Sequence, residues 1–158
     1  MPTKIMENNL GNIEESIRYL VNKSVQDESV RNLAIRITSD GPNNISSIYQ
    51  FVQTNVKYLS DPIDNELFIS PIHMVKDYNE KGHMEGDCDD FALLTVALAR
   101  SLGIPAHVSI SDQSGKGFDH AIAEIYSTKL TRWVQVDPST CDIPLGWAYN
   151  PYKKLDIE

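Results

Sequence analysis

At 158 residues the chain is the size of one domain and can bury a core without disulfide or metal staples. Apolar residues make up 41% and charged residues 23%, which excludes a disordered or fibrous class. Lys plus Arg number 14 against 22 Asp plus Glu, and a net charge of −8 excludes nonspecific binding to nucleic acid or anionic lipid, which needs clustered cations.

The first third reads as three helices. Ile13, Ile17, Leu20 and Val21 recur at helical spacing, with Asn12 and Glu15 spaced like a capping box. Val30, Leu33, Ala34 and Ile37 form a second stripe behind Asp27 as cap. Ile45, Ile48, Phe51, Val52 and Val56 form the third, entered through Asp40-Gly41-Pro42-Asn43. Residues 1–57 are therefore expected to be the helical part of a single domain over residues 1–158.

Residues 58–87 differ. Asp61-Pro62, Ser70-Pro71 and Gly82 punctuate them, and the one short apolar patch runs from Ile69 to Val75. They read as a long loop, a kind that is often functional. Phe91 to Leu102 is then apolar on nearly every side, stopped by Gly103 and Pro105, the pattern of a helix buried in the middle of a domain. Cys88 sits where that helix begins.

Three strand-like runs follow, Ile104 to Ile110, His120 to Tyr126 and Arg132 to Asp137. Ala121, Ala123 and Ile125 share one face, as do Val134 and Val136, which fits an antiparallel sheet packed on a helix. The expected class is α+β, with a core over residues 88–140 and a tail over 141–158. The longest apolar run, Phe91 to Ala99, falls short of the roughly 20 residues that span a bilayer. MPTKIMENNLGNIEES holds no apolar signal core, so the expected compartment is the cytoplasm, with no membrane partner.

A hairpin over the last two runs has a chemical consequence. With Ser127 to Leu130 as the loop, Tyr126 pairs with Thr131, Glu124 with Trp133, Ile122 with Gln135 and His120 with Asp137. Directly opposed residues have Cβ atoms roughly 4.5–5.5 Å apart, close enough for an imidazole–carboxylate hydrogen bond. The pair is either a plain surface contact or a device in which Asp137 fixes the tautomer of His120 for proton transfer.

Cys88 lies in Gly86-Asp87-Cys88-Asp89-Asp90-Phe91. A helix start and a nearby imidazolium both lower a thiol pKa, whereas Asp87, Asp89 and Asp90 raise it by repulsion. Those carboxylates must be paired, cap the helix, or be neutralised by a cation, of which calcium fits the acidity. The alternative reading is a buried, inert thiol. Together Cys88, His120 and Asp137 have the makings of a nucleophilic triad, the thiolate attacking an acyl carbon and His120 protonating the leaving amine. A zinc site from Cys88, His120 and Cys141 lacks any paired ligand spacing.

Three segments in order, GDCDDFALLTVALARSLGIPAHV, DHAIAEIY and RWVQVDPS, resemble the transglutaminase-like superfamily, the core shared by transglutaminases and many microbial cysteine peptidases. The stretch VKYLSDPIDNELFISPIHMVKDYNEKGHMEGDCDD also resembles the approach to the nucleophile in bacterial members, so the likeness covers roughly residues 45 to 140. The resemblance implies a papain-like α+β core, a small stand-alone microbial or viral type, and Cys88, His120 and Asp137 as the catalytic triad. It implies no cofactor or metal. The expected activity is hydrolysis of a peptide or other amide bond through a thioester; amine transfer between proteins and a non-catalytic binding module are the alternatives. Two departures stand out. Ile122 replaces the aromatic that many members carry two residues after the histidine, and the upstream oxyanion donor matches Gln53, Asn55 and Tyr58 equally. His73, His83 and His107 are expected to take no part in catalysis. Cys141 reads as a bystander, and Trp147, Tyr149 and Tyr152 as a tail packed over the domain edge or lining a peptide groove.

Overall fold

Apolar stripes at helical spacing become helices, and alternating runs become strands. The computed structural model describes residues 4–7, 10–39, 43–59, 66–112, 115, 120–139 and 153–158. The elements are β1 (Lys4–Glu7), α1 (Leu10–Val25), α2 (Glu28–Thr38), α3 (Asn44–Asn55), β2 (Val56–Tyr58), β3 (Glu66–Ile69) and α4 (Pro71–Lys81). They continue with β4 (Met84–Gly86), α5 (Cys88–Ser101), β5 (Ala106–Asp112), β6 (His120–Ser127), β7 (Arg132–Val136) and β8 (Lys153–Ile157).

Of the two caps read from the sequence, that of Asp27 forms, and Asn43 in the entry segment of α3 supplies another. Asp27 accepts the N–H groups of Ser29 and Val30 at the start of α2, and Asn43 accepts that of Ser46 at the start of α3. α1 already begins at Leu10, so Asn12 stands within the helix and not at the N-cap position. Adding a turn to a helix anchored by Ile17, Leu20 and Val21 costs little once the helix is nucleated.

The stretch read as a long loop over residues 58–87 is largely structured, holding β3, α4 and β4. Ser70-Pro71, which looks like punctuation, is a helix start: Ser70 Oγ accepts the Ile72 N–H and Pro71 occupies the first turn, where it loses no hydrogen bond. Gly82, at φ 81°, closes the helix in the left-handed conformation. β3 pairs antiparallel with β1, and β4 pairs in parallel with β2.

The fold is α+β, with α5 at its centre. Residues Asp90 to Ala99 are all buried, as the all-round apolarity of this segment requires. The helices α1, α2 and α3 pack on one side of it, and β5 and β6 on the other. The four-stranded antiparallel sheet has the order β7-β6-β5-β8. Its inner face carries Ala106, Val108, Ile110, Ala121, Ala123, Ile125, Val134, Val136 and Ile157, all buried. Among the described residues no helix is long and apolar enough to cross a membrane.

The β6–β7 register departs from expectation. Tyr126 pairs with Trp133, Glu124 with Gln135 and Ser127 with Arg132, so the turn is Thr128 to Thr131. Ser127 Oγ accepts the Leu130 N–H at 3.1 Å and Thr131 takes a left-handed φ of 53°, which together close the turn one residue later. Every partner moves by two positions along β7. A two-residue displacement keeps each side chain on its face, where a one-residue slip would invert the strand.

Candidate active site

The turn that leads into Cys88 is assembled from backbone. Gly86 at the end of β4 pairs with Tyr58, and its carbonyl accepts the Leu59 N–H at 2.8 Å. Asp87 then caps α5, its Oδ1 accepting the N–H groups of Asp89 and Asp90 at 3.1 and 3.3 Å. Asp90 Oδ2 accepts the Asp87 N–H at 3.1 Å, completing a capping box around Cys88, the first residue of the helix. Two of the three carboxylates crowded around the cysteine thus serve backbone donors.

Cys88 is half-buried against the start of β6. Burial pushes its thiol well above the ordinary thiol range, and the charges of Asp89, Asp87 and Asp137 push the same way. The backbone N–H of Ala121, donating to sulfur, pulls in the opposite direction. Ala121 is the residue that follows His120, so the same contact sets Cys88 beside the histidine's position on the strand.

His120 Nε2 lies 2.8 Å from Asp137 Oδ2. The contact forms although the two residues are not paired. Continuing the observed register would bring Asp137 opposite Ile122, so the histidine reaches it diagonally across the hairpin, within the range of a long side chain. Asp137 lies just past β7 and is itself held: its Oδ1 accepts the N–H of Ser139 at 3.1 Å and the Ser139 hydroxyl as well. Its side chain is 2% exposed against 22% for His120, so the carboxylate is fixed and the imidazole is reachable.

Of the three upstream donors, one stands beside this turn. Gln53 donates to Tyr49 Oη at 3.1 Å and Asn55 to the Phe51 carbonyl at 2.9 Å, both within α3. Tyr58 is opposite Gly86, half-exposed, and meets the Phe91 ring edge-on with centroids 6.1 Å apart. The parallel β2–β4 pairing that puts it there joins segments with no local sequence signal, which is why spacing alone left the three equal.

The other histidines are engaged elsewhere. His73 pairs with Asp77 at 3.2 Å on α4, and the exposed His83 has its Nδ1 3.3 Å from the Lys81 carbonyl. His107 is buried on the outer face of the sheet, with Nε2 2.8 Å from Glu124 Oε1 and its ring 4.5 Å from that of Trp133. His107, Glu124 and Asp156 bring their ligand atoms within 4.8 Å of one another, a spacing that could hold a metal. The Lys154 ammonium already stands 2.9 Å from Glu124 and 3.2 Å from Asp156. Burial works to raise the Glu124 pKa, yet the hydrogen bonds from His107, Lys154 and Gln135 outweigh it and hold the carboxyl at about 2. Burial likewise opposes the Lys154 charge, and Glu124 and Asp156 overcome it to raise that pKa. Cys141, the third residue of the zinc set, lies outside the described residues, as do Trp147, Tyr149 and Tyr152.

Residues 31–138 match the family model of the transglutaminase-like superfamily. No curated protein matches the sequence. Among solved structures the fold is similar to that of a proposed cysteine protease from Cytophaga hutchinsonii, at 23% identity and a TM-score of 0.57, covering 78% of this chain and 42% of that one. It is also similar to a proposed protease from Parabacteroides distasonis, at 9% identity and a TM-score of 0.59, covering 91% of this chain and 29% of that one. At these identities the likeness is one of fold, and the chain spans less than half the length of either protein.

Proposed function

The chain belongs to the transglutaminase-like superfamily, and from that premise we propose that it is a thiol enzyme cleaving peptide or other amide bonds through Cys88, His120 and Asp137. One observation carries the reading: the cysteine at the start of α5 is hydrogen-bonded by the residue that follows a histidine, and that histidine is held by a buried carboxylate. The protease assignments proposed for the two similar structures support hydrolysis over amine transfer.

With Nε2 engaged by Asp137, Nδ1 is the ring atom that exchanges the proton. Cys88 Sγ attacks the acyl carbon as its proton passes to Nδ1, and Asp137 stabilises the imidazolium so formed. Collapse of the tetrahedral adduct breaks the C–N bond, and the amine leaves with the proton from Nδ1. Water, deprotonated by Nδ1, then releases the acyl group from sulfur. The developing oxyanion meets the first turn of α5. There Asp87 takes the N–H groups of Asp89, Asp90 and Phe91, so the first-turn donor at the nucleophile's own position is that of Cys88. Tyr58, paired opposite Gly86, is the upstream side-chain donor that the β2–β4 pairing sets beside this turn.

The upward push on the thiol favours His120 as a general base at the moment of attack over a standing thiolate. It is also the observation behind a second reading, a binding module that kept the fold and lost turnover. Iodoacetamide separates the two. In the enzyme the rate of Cys88 alkylation has a limb in the imidazole titration range that His120→Ala removes. A single high-pH limb, the same in both proteins, defeats the enzyme reading. Peptide hydrolysis and primary-amine incorporation, run side by side with Cys88→Ala as blank, then decide between water and amine as acceptor.

A further inference from the structure

Asp90, two residues past Cys88, is 1% exposed. The cap accounts for one of its hydrogen bonds, from the Asp87 N–H at 3.1 Å to Oδ2. The other oxygen does what a cap does not require. Oδ1 accepts the N–H of Ile69 at 2.7 Å, from the end of β3, 21 residues earlier in the chain. One carboxylate therefore joins β3, itself paired with β1, to the peptide just ahead of the nucleophile.

Gly86 makes room for this tie. A Cβ there would come 2.6 Å from Asp90 Cβ and 3.0 Å from its Oδ2, so any larger residue forces the carboxylate off its donors. The glycine serves close approach and not a left-handed turn, since its φ is not positive.

We propose that Asp90 is a positioning residue for the nucleophile, fixing the turn from Gly86 to Cys88 against β3 and so setting where Cys88 Sγ stands relative to His120. The inference rests on the reading of Cys88 as a nucleophile served by His120. Proton transfer needs the two heavy atoms within hydrogen-bond reach, and a misplacement of about 1 Å can cost on the order of 10²-fold. Charge alone makes the opposite prediction: removing a carboxylate near a thiol eases thiolate formation and speeds its reaction.

The test is the second-order rate of Cys88 alkylation by iodoacetamide, followed across the imidazole and thiol titration ranges with thermal midpoints beside it. The proteins are the wild type, Asp90→Asn, Gly86→Ala, His120→Ala and the Asp90→Asn/His120→Ala pair. Asparagine keeps the size of Asp90, but its amide NH₂ must face one of the two N–H donors whichever way it is turned. Asp90→Asn is expected to lower the His120-dependent rate about tenfold or more and to change nothing in the His120→Ala background. Gly86→Ala, with Asp90 intact, is expected to show the same loss. A purely structural role would lower the thermal midpoint and leave the pH profile in place. Faster alkylation in Asp90→Asn, or an intact His120-dependent limb in the folded variants, overturns the proposal; should Asp90→Asn not fold, Gly86→Ala decides by the same criterion. A wild type without that limb takes down the enzyme reading and this inference together, whereas a wild type with it and unchanged variants takes down this inference alone.

Discussion

The strand β6 carries two histidine–carboxylate contacts on one face of the sheet, each 2.8 Å long, and they have opposite surroundings. Between His107 and Glu124 both side chains are 5% exposed, and Lys154, Gln135 and Trp133 close around them. Between His120 and Asp137 the carboxylate is as deeply buried, but the imidazole is reachable and stands next to the residue that engages a thiol. Bond length does not distinguish the two pairs. What differs is exposure: the His107 side chain is sealed at 5%, whereas that of His120 is 22% exposed and precedes the residue whose N–H donates to the Cys88 sulfur.

The strongest way to break this comparison is to remove each histidine in turn. His120→Ala is expected to lower amide turnover by roughly 10²–10⁴-fold, while His107→Ala leaves turnover within a few-fold; equal losses would erase the distinction. Asp137→Asn should cost up to about 10⁴-fold, since an amide holds the ring but does not fix its tautomer or stabilise the imidazolium. A variant as active as the wild type would remove Asp137 from the reaction.

Stability sharpens the contrast from the other side. Glu124→Gln removes the charge that faces Lys154 and His107 and is expected to cost about 2–3 kcal/mol at neutral pH, measured by urea unfolding. The pH dependence has a definite sign. A carboxyl held at about 2 in the fold, against an ordinary 4.5, contributes stability that is present above pH 4.5 and lost as pH falls toward 2. The stability gap between wild type and Glu124→Gln should therefore narrow over that window; a constant gap would mean the carboxylate charge is not what stabilises the cluster. The smallest effect is expected from Trp133→Ala, about 1 kcal/mol, because the ring covers His107 yet is itself 42% exposed.

Much of this was legible in order along the chain. The apolar stripes of α1, α2 and α3 and the central position of α5 follow from spacing and all-round apolarity. So does the inner face of the sheet, through the alternation of Ala121, Ala123 and Ile125. The motif around Cys88 and the face shared by His120 and Asp137 were also readable. The residues around 58–87 were not, because Ser70-Pro71 has one meaning as a loop and another as a helix start, and only the packing of Met74 and Val75 selects between them.

By itself the sequence determined which residues face the core, through periods of two and 3.6 residues along one element, and it singled out Cys88, His120 and Asp137 as candidates through the motifs around them. Tertiary structure decided how those residues meet. It placed His120 diagonally from Asp137, set Tyr58 opposite Gly86, paired Lys154 from β8 with the Glu124 that holds His107, and tied Asp90 to Ile69. In the β6–β7 hairpin the adjacency was readable and only the register was not; each of the others joins two elements whose adjacency no local spacing encodes. They form because α5 must be covered on all sides, and covering it brings distant backbone donors and side chains together.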